Sequence, residues 1–293
     1  NFLTRVLTLG IFALTTLLVS CGSSTINDPF KPTRIIVFGD SFSDLTASNQ
    51  YTVNDSATNN WASQVAASYG VSTIVKLAAG NALVSDVQTQ VNTFGAAYQA
   101  GDLVLVSAGY RDIINDAAAG TNTASTKGTA YATLIRSMVT NGAKHIAAAN
   151  VYDLSKSPAT TLAVAPTAAN LAAQGGGSRG TLMAAFNDAL KSNLGSATLT
   201  NVGDKVRLVD LEAYFNLVKA SPTTYSYVDA TTVVCNSNDA TASPGGIGIG
   251  TNKVNSKLCT TGTLAQAAYD SYVFADAVYP TPAFHRAWGS NVY

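Results

Sequence analysis

Charge is scarce in this sequence, and what there is cancels. Only 12% of the 293 residues are charged, with 17 Lys plus Arg against 17 Asp plus Glu, so the formal net charge is zero. A chain without a net field has nothing to draw in nucleic-acid phosphates or an anionic membrane surface, which excludes DNA and RNA as expected partners. Histidine numbers two and cysteine three, and no histidine lies near the cysteines in sequence, so a four-ligand zinc site is a poor reading of them. No internal repeat is present. The glycine-rich run GGIGIG (245–250) follows no strand, opens no clear helix and lacks the lysine of a phosphate-binding loop, so it reads as a plain loop.

Long apolar runs are also missing, except at the N-terminus. Arg5 precedes VLTLGIFALTTLLV, which has the length of a signal peptide's hydrophobic region and is short for a membrane-spanning helix. LVSCG (18–22) then resembles a bacterial lipobox, in which the cysteine is lipidated; the alternative is an ordinary signal with a chance cysteine. The expectation is a signal peptide over 1–20, a lipid anchor at Cys21 and a polar, proline-containing tether over 21–33. The protein would be exported and anchored in a membrane. Gly22, where Asp would favour retention at the inner membrane, points to the outer membrane, with the protein facing periplasm or surface. In that oxidising setting Cys235 and Cys259, flanking a polar, glycine-rich loop, read as a disulfide.

Several short apolar runs follow: RIIVFG (34–39), STIVKLA (72–78), DLVLVSAG (102–109), KHIAAAN (144–150) and KVRLVD (205–210). Each is too short for a helix and reads as a strand buried on both faces. Between them NNWASQVAASYG, SDVQTQVNTFG, TAYATLIRSMVTNG and TLMAAFNDALKSNLG carry helical periodicity, each ending in glycine. Alternating strand and helix predicts parallel strands joined by right-handed crossovers, an α/β domain of three layers. Residues 155–180 and 221–263 break the rhythm and read as long loops.

In such a sheet, ligands bind beyond the carboxyl ends of the strands. The first run is followed by Gly39, Asp40, Ser41, the second by AAGNA around Gly80, the third by Gly109, Tyr110, Arg111, Asp112. A serine opening a helix after a sharp glycine turn is well placed to attack a carbonyl, and a Gly80 N–H on the next loop could face the same oxyanion. FGDSFSD resembles the first block of the GDSL (SGNH) family of serine ester hydrolases. The family's later blocks are echoed in order by Gly80, GYRD (109–112) and DAVYPT (276–281). The late cysteine pair before YVFADAVYPT resembles the secreted and autotransporter-esterase subgroup. The resemblance implies a flavodoxin-like αβα sandwich with about five parallel strands over 34–293. It also implies Ser41 as nucleophile, Gly80 as oxyanion donor, Asp276 as triad acid and an ester substrate: a short acyl ester, a lipid or an acetylated glycan. A serine mechanism needs neither metal nor organic cofactor.

Two positions depart from the family. Arg111 stands where it has an oxyanion-binding Asn, exchanging a short donor for a charged fork that needs room and a counter-charge, for which Asp112 is the nearest candidate. Tyr279 stands where it has the catalytic His, and a phenol of pKa about 10 is protonated at neutrality and cannot serve unaided as base. His285, after Thr281 as N-cap and Pro282 at the first helical position, is expected to pack beneath the site, the alternative being a catalytic base that replaces the missing imidazole if it reaches Ser41. His145, opening a strand, reads as structural. Two readings follow: an exported ester hydrolase acting through Ser41 with an atypical base, or a degenerate hydrolase that binds a ligand or partner without turnover.

Overall fold

The short apolar runs build one sheet. The computed structural model describes residues 29–47, 50–55, 59–173, 181–195, 202–241 and 250–292. Arg34–Gly39 (β1), Ile74–Lys76 (β2), Asp102–Ser107 (β3), Ile146–Ala149 (β4) and Val206–Val209 (β5) form it in the order β2-β1-β3-β4-β5. Every ladder is parallel. β1, β3 and β4 are buried almost throughout, as their β-branched and small apolar residues require. The expectation of burial on both faces fails for β2 and β5. These are the edges, each with one neighbour in the sheet.

The predicted helices form as Trp61–Tyr69 (α1), Val84–Phe94 (α2), part of Ala124–Thr140 (α4) and Leu182–Leu194 (α7). The sequence reading missed Tyr110–Ala119 (α3), which starts inside the GYRD block, and Leu211–Ala220 (α8). The stretch expected to be a long loop after residue 155 holds two short helices, Ala159–Leu162 (α5) and Thr167–Ala172 (α6). Helices flank the sheet as in an αβα sandwich. The last helix, Pro282–Ser290 (α9), packs on α1 through stacked Trp61 and Trp288, ring centres 4.5 Å apart.

The second long stretch is only partly irregular. Asp229–Val233 (β6) pairs in parallel with Tyr272–Phe274 (β9), and Asn238–Asp239 (β7) pairs antiparallel with Lys253–Val254 (β8). Cys235 and Cys259 are bonded and buried within a small apolar cluster with Val53, Val234 and Ala275. Closing 24 residues of sequence separation restricts the unfolded chain and contributes about 3 kcal/mol. This cross-linked loop matters to the site, because Asn54 pairs with it: the Asn54 N–H donates to the Cys259 carbonyl at 3.0 Å and the Asn54 side chain to the same oxygen at 3.1 Å. The expected signal peptide, Cys21, residues 21–28 of the expected tether and residues 245–249 of GGIGIG lie outside the described residues.

Candidate active site

Gly39 ends β1, the strand at which connections depart to both sides of the sheet. Its φ of +145° and a Cβ that would stand 2.6 Å from the Ser107 carbonyl oxygen leave only glycine able to turn here. Gln90 of α2 grips the turn from both sides, accepting from the Gly39 N–H at 2.9 Å and donating to its carbonyl at 3.0 Å. The chain then makes a single tight turn, with the Ser43 N–H donating to the Asp40 carbonyl at 2.9 Å. Ser41 was expected to open a helix; it sits on this isolated turn instead, and α1 starts much later.

Beneath the turn runs a buried polar chain: the Trp61 indole N–H to Ser43 Oγ at 3.0 Å, Ser43 Oγ to Ser107 Oγ at 2.7 Å, and Ser107 Oγ–H to Asp40 Oδ1 at 3.0 Å. The other carboxyl oxygen of Asp40 has no partner among the described residues. Burial therefore pushes the Asp40 pKa up to about 6, against the pull of Ser107 and the Phe42 N–H. A carboxyl raised on folding is most comfortable when both folded and unfolded forms are protonated. The contribution of this carboxyl to stability is lost as pH rises from about 4 to about 6, by about 3 kcal/mol, and no more above. Asp40→Asn should remove that slope: measured by denaturant midpoints, the variant should gain about 3 kcal/mol on the wild type between about pH 4 and about pH 7. A constant difference would show that Asp40 titrates normally.

Ser41 itself is 1% exposed. Its Oγ accepts a 2.7 Å hydrogen bond from the Asn81 N–H, on the loop after β2. The sequence reading chose Gly80 as donor from this loop. The structure puts the neighbouring Asn81 N–H on Ser41, and gives Gly80 a steric reason: a Cβ there would meet the Tyr51 hydroxyl at 2.7 Å. The Asn81 side chain donates to that same hydroxyl at 3.1 Å.

Tyr279 closes the site from the other side. Its phenol and that of Tyr51 both interact with the Ser41 hydroxyl, and their rings lie 4.8 Å apart. Burial holds the Tyr279 phenol well above its ordinary pKa, and Tyr51 moves the same way for the same reason. Both phenols are protonated at neutrality, and neither can take the Ser41 proton.

Asp276 is fully buried and held by three backbone N–H groups, with the Ser256 hydroxyl also against it. Oδ1 accepts from the N–H groups of Val278 (2.8 Å) and Tyr279 (2.7 Å), and Oδ2 from that of Ser256 (2.7 Å) in the cross-linked loop. Burial raises its pKa while these bonds pull it down. The Tyr152 hydroxyl donates to the Val278 carbonyl, completing the hold on the 276–279 turn.

Thr281 occupies the N-cap position with Pro282 following, as expected, but its hydroxyl donates to the Tyr272 carbonyl at 2.6 Å and does not cap. His285 is buried between Phe42 (6.2 Å) and Trp288 (5.9 Å, stacked). Among the described residues neither ring nitrogen has a hydrogen-bond partner, Ser41 included. The Tyr51 backbone lies near enough to favour a proton weakly without hydrogen-bond geometry, and burial outweighs it, lowering the His285 pKa to about 3. The ring is neutral and packs.

Arg111 is 9% exposed, and its charge acts on Tyr51. Asp112 is committed elsewhere, accepting from the Val84 N–H at 2.9 Å and facing Lys127 Nζ at 3.6 Å, so it is not the dedicated counter-charge the sequence invited. His145 precedes β4, at the end of the sheet opposite the site. Among the described residues no three His, Cys, Asp or Glu side chains cluster as metal ligands would.

A parallel sheet of order 2-1-3-4-5 with Gly-Asp-Ser at the carboxyl end of its first strand defines an SGNH-type αβα sandwich. The family model for GDSL-like lipase/acylhydrolase matches residues 35–292, and the chain belongs to that family, whose members hydrolyse esters. No curated protein sequence matches it. Among solved structures it is similar to a GDSL-like protein of Parabacteroides merdae, with a TM-score of 0.51 and 12% identity over 90% of this chain and 97% of that one. It is also similar to a lipolytic G-D-S-L family member of Veillonella parvula, with a TM-score of 0.48 and 12% identity over 88% and 94% of the two chains. The acetyl xylan esterase AlAXEase gives a TM-score of 0.48 and 11% identity over 88% and 96%.

Proposed function

We propose that this protein is an exported, lipid-anchored member of the GDSL ester hydrolases in which the ester site is retained and the general base is gone. Ser41 keeps the Asn81 N–H and lacks a base, so turnover is limited to what positioning and that donor supply. The observation that carries this reading is the protonated Tyr279 phenol beside Ser41, where the reaction needs an imidazole, with His285 hydrogen-bonded to nothing there. Serine attack requires that its proton leave, and the neighbours of the Ser41 oxygen are a backbone N–H and two protonated phenols, none of them a base at neutrality. Positioned donors without a working triad are worth about 10³–10⁴ over water, far below an intact enzyme. The ligand class is an acyl ester, whether short-chain, lipid or acetylated glycan.

The second reading, a fully active hydrolase with an atypical base, draws support from the retained contact between Ser41 and the Asn81 N–H, which would serve an oxyanion equally well. Hydrolysis of p-nitrophenyl acetate by the wild type beside Ser41→Ala separates the two. Rates within about tenfold of each other fit the disarmed site, and a wild type faster by several powers of ten makes it an active enzyme. Export and anchoring rest on the N-terminal pattern ending in Cys21. Labelled fatty acid should enter the wild type and not Cys21→Ala; equal labelling of both removes the anchor.

A further inference from the structure

The least expected feature of the site is that Ser41 is shut in. At 1% exposure it cannot meet a carbonyl carbon, and the side chain against it on the side of the loop after β2 is Tyr51, itself 3% exposed. Asn81 holds both at once, its N–H on Ser41 Oγ at 2.7 Å and its side-chain amide on the Tyr51 oxygen at 3.1 Å. The Tyr51 ring also lies across Gly80, where its Cε2 would be 2.8 Å from an added Cβ. A phenol thus fills the space around the Ser41 hydroxyl and the loop that would face an oxyanion.

Tyr51 is not held there by its own ring alone. The next residue, Thr52, donates from its hydroxyl to the Pro280 carbonyl at 2.9 Å, tying the segment to the turn that carries Tyr279. Asn54 ties it to the cross-linked loop, donating to the Cys259 carbonyl from both backbone and side chain, and to the Gln50 carbonyl at 3.0 Å. Lys257 of that loop lies 6.0 Å over the Tyr51 ring, in cation–π range. Two covalently distant parts of the chain, 50–55 and 256–260, are thereby joined over the serine.

We infer that Tyr51 is the access-determining residue of this site, an internal occupant that the loop closed by Cys235 and Cys259 clamps over Ser41 and that must leave before an ester can reach it. The inference rests on the ester-site reading of Ser41 for its meaning, but its physical content is access alone. An entering acyl ester has to displace a phenol, its bond to Asn81 and the packing on Gly80. The occupant therefore selects against ligands too small to replace those contacts, and release of the 50–55 segment is the step that opens the site.

The test reads access without catalysis. In the full chain carrying Cys21→Ser, with the disulfide intact, Ser41→Cys places a thiol under the phenol, and its alkylation by iodoacetamide is followed by mass. The thiol should react slowly, and adding Tyr51→Ala should accelerate it about 100-fold, as expected when a protected group no longer waits for local opening. Tyr51→Phe, which keeps the ring, should stay slow. Asn54→Ala, which loosens the clamp and spares the ring, should fall between. Millimolar p-cresol should refill the space left by Tyr51→Ala and slow the reaction again, an effect that general loosening of the fold would not give. Equal rates with and without Tyr51→Ala, in protein whose circular dichroism is unchanged, overturn the inference, as does acceleration that p-cresol leaves untouched. A failure of the ester reading would appear in the esterase assays and leave these rates as they are.

Discussion

Tyr279→His should raise ester hydrolysis above that of the wild type by about a thousandfold, the scale on which single triad members act. The main-chain position of residue 279 is already fixed, because its N–H is bonded to Asp276 Oδ1 at 2.7 Å and its side chain already reaches Ser41. Asp276 accepts from the N–H groups of Ser256, Val278 and Tyr279, and the Ser256 hydroxyl also lies against it, so an imidazole N–H would take that hydroxyl's place on the carboxylate. The other ring nitrogen would face the Ser41 hydroxyl, with a pKa suited to take its proton near neutrality. The Asn81 N–H, now on Ser41 Oγ, would be free to serve the oxyanion once the serine is acylated. Because Tyr51 still covers Ser41, the larger rate is expected in Tyr279→His/Tyr51→Ala. Initial rates on p-nitrophenyl acetate, with Ser41→Ala added to each variant as background, measure both. If neither variant exceeds its background, the site is not a disarmed esterase.

The sequence showed more of the fold than of the site, for a physical reason. β1, β3 and β4 are runs of β-branched and small apolar residues that only a doubly covered sheet accommodates, so their order alone specified the sandwich. Likewise Cys235 and Cys259 had few other partners to choose. α3 and α8 escaped notice because each follows a strand so closely that its first turn carries site or capping residues rather than a clear apolar stripe. Within the site, motif order located Ser41, Asp276 and Tyr279, since each belongs to a short local block. Tyr51 belongs to none. Its importance comes from contacts with Asn81 and Lys257, 30 and 206 residues away, and from the small volume of Gly80, none of which leaves a local pattern. Gly80 stands out in the sequence for an N–H that could face an oxyanion; what the structure adds is that its missing side chain makes room for a phenol and that the N–H on Ser41 Oγ is that of its neighbour Asn81.

His285→Leu should make the fold markedly more resistant to acid. A histidine whose pKa falls from 6.5 to about 3 on folding must stay neutral in the native state while the unfolded chain takes up a proton, so stability is lost as pH falls below about 6.5. The loss accrues at about 1.4 kcal/mol per pH unit and reaches 4–5 kcal/mol, about the whole margin of a modest domain, near pH 3. Leucine is close in volume, carries no proton and removes two ring nitrogens that have no hydrogen-bond partner among the described residues. Its stability relative to wild type should therefore climb steadily as pH is lowered from about 6.5, read from denaturant midpoints at each pH. Asp40 acts in the opposite direction over much of this range: its raised pKa, about 6, adds stability as pH falls from about 6 to about 4. In the wild type the two slopes nearly cancel there, the buried carboxyl below the Ser41 turn masking the buried imidazole behind Phe42. Removing either should expose the other. His285→Leu is expected to grow more stable between about pH 6 and about pH 4, and Asp40→Asn less, while the double variant should return toward a shallow profile set by the remaining acids. A His285→Leu profile parallel to that of the wild type would mean that the ring is charged in the native state, which its burial without a partner forbids.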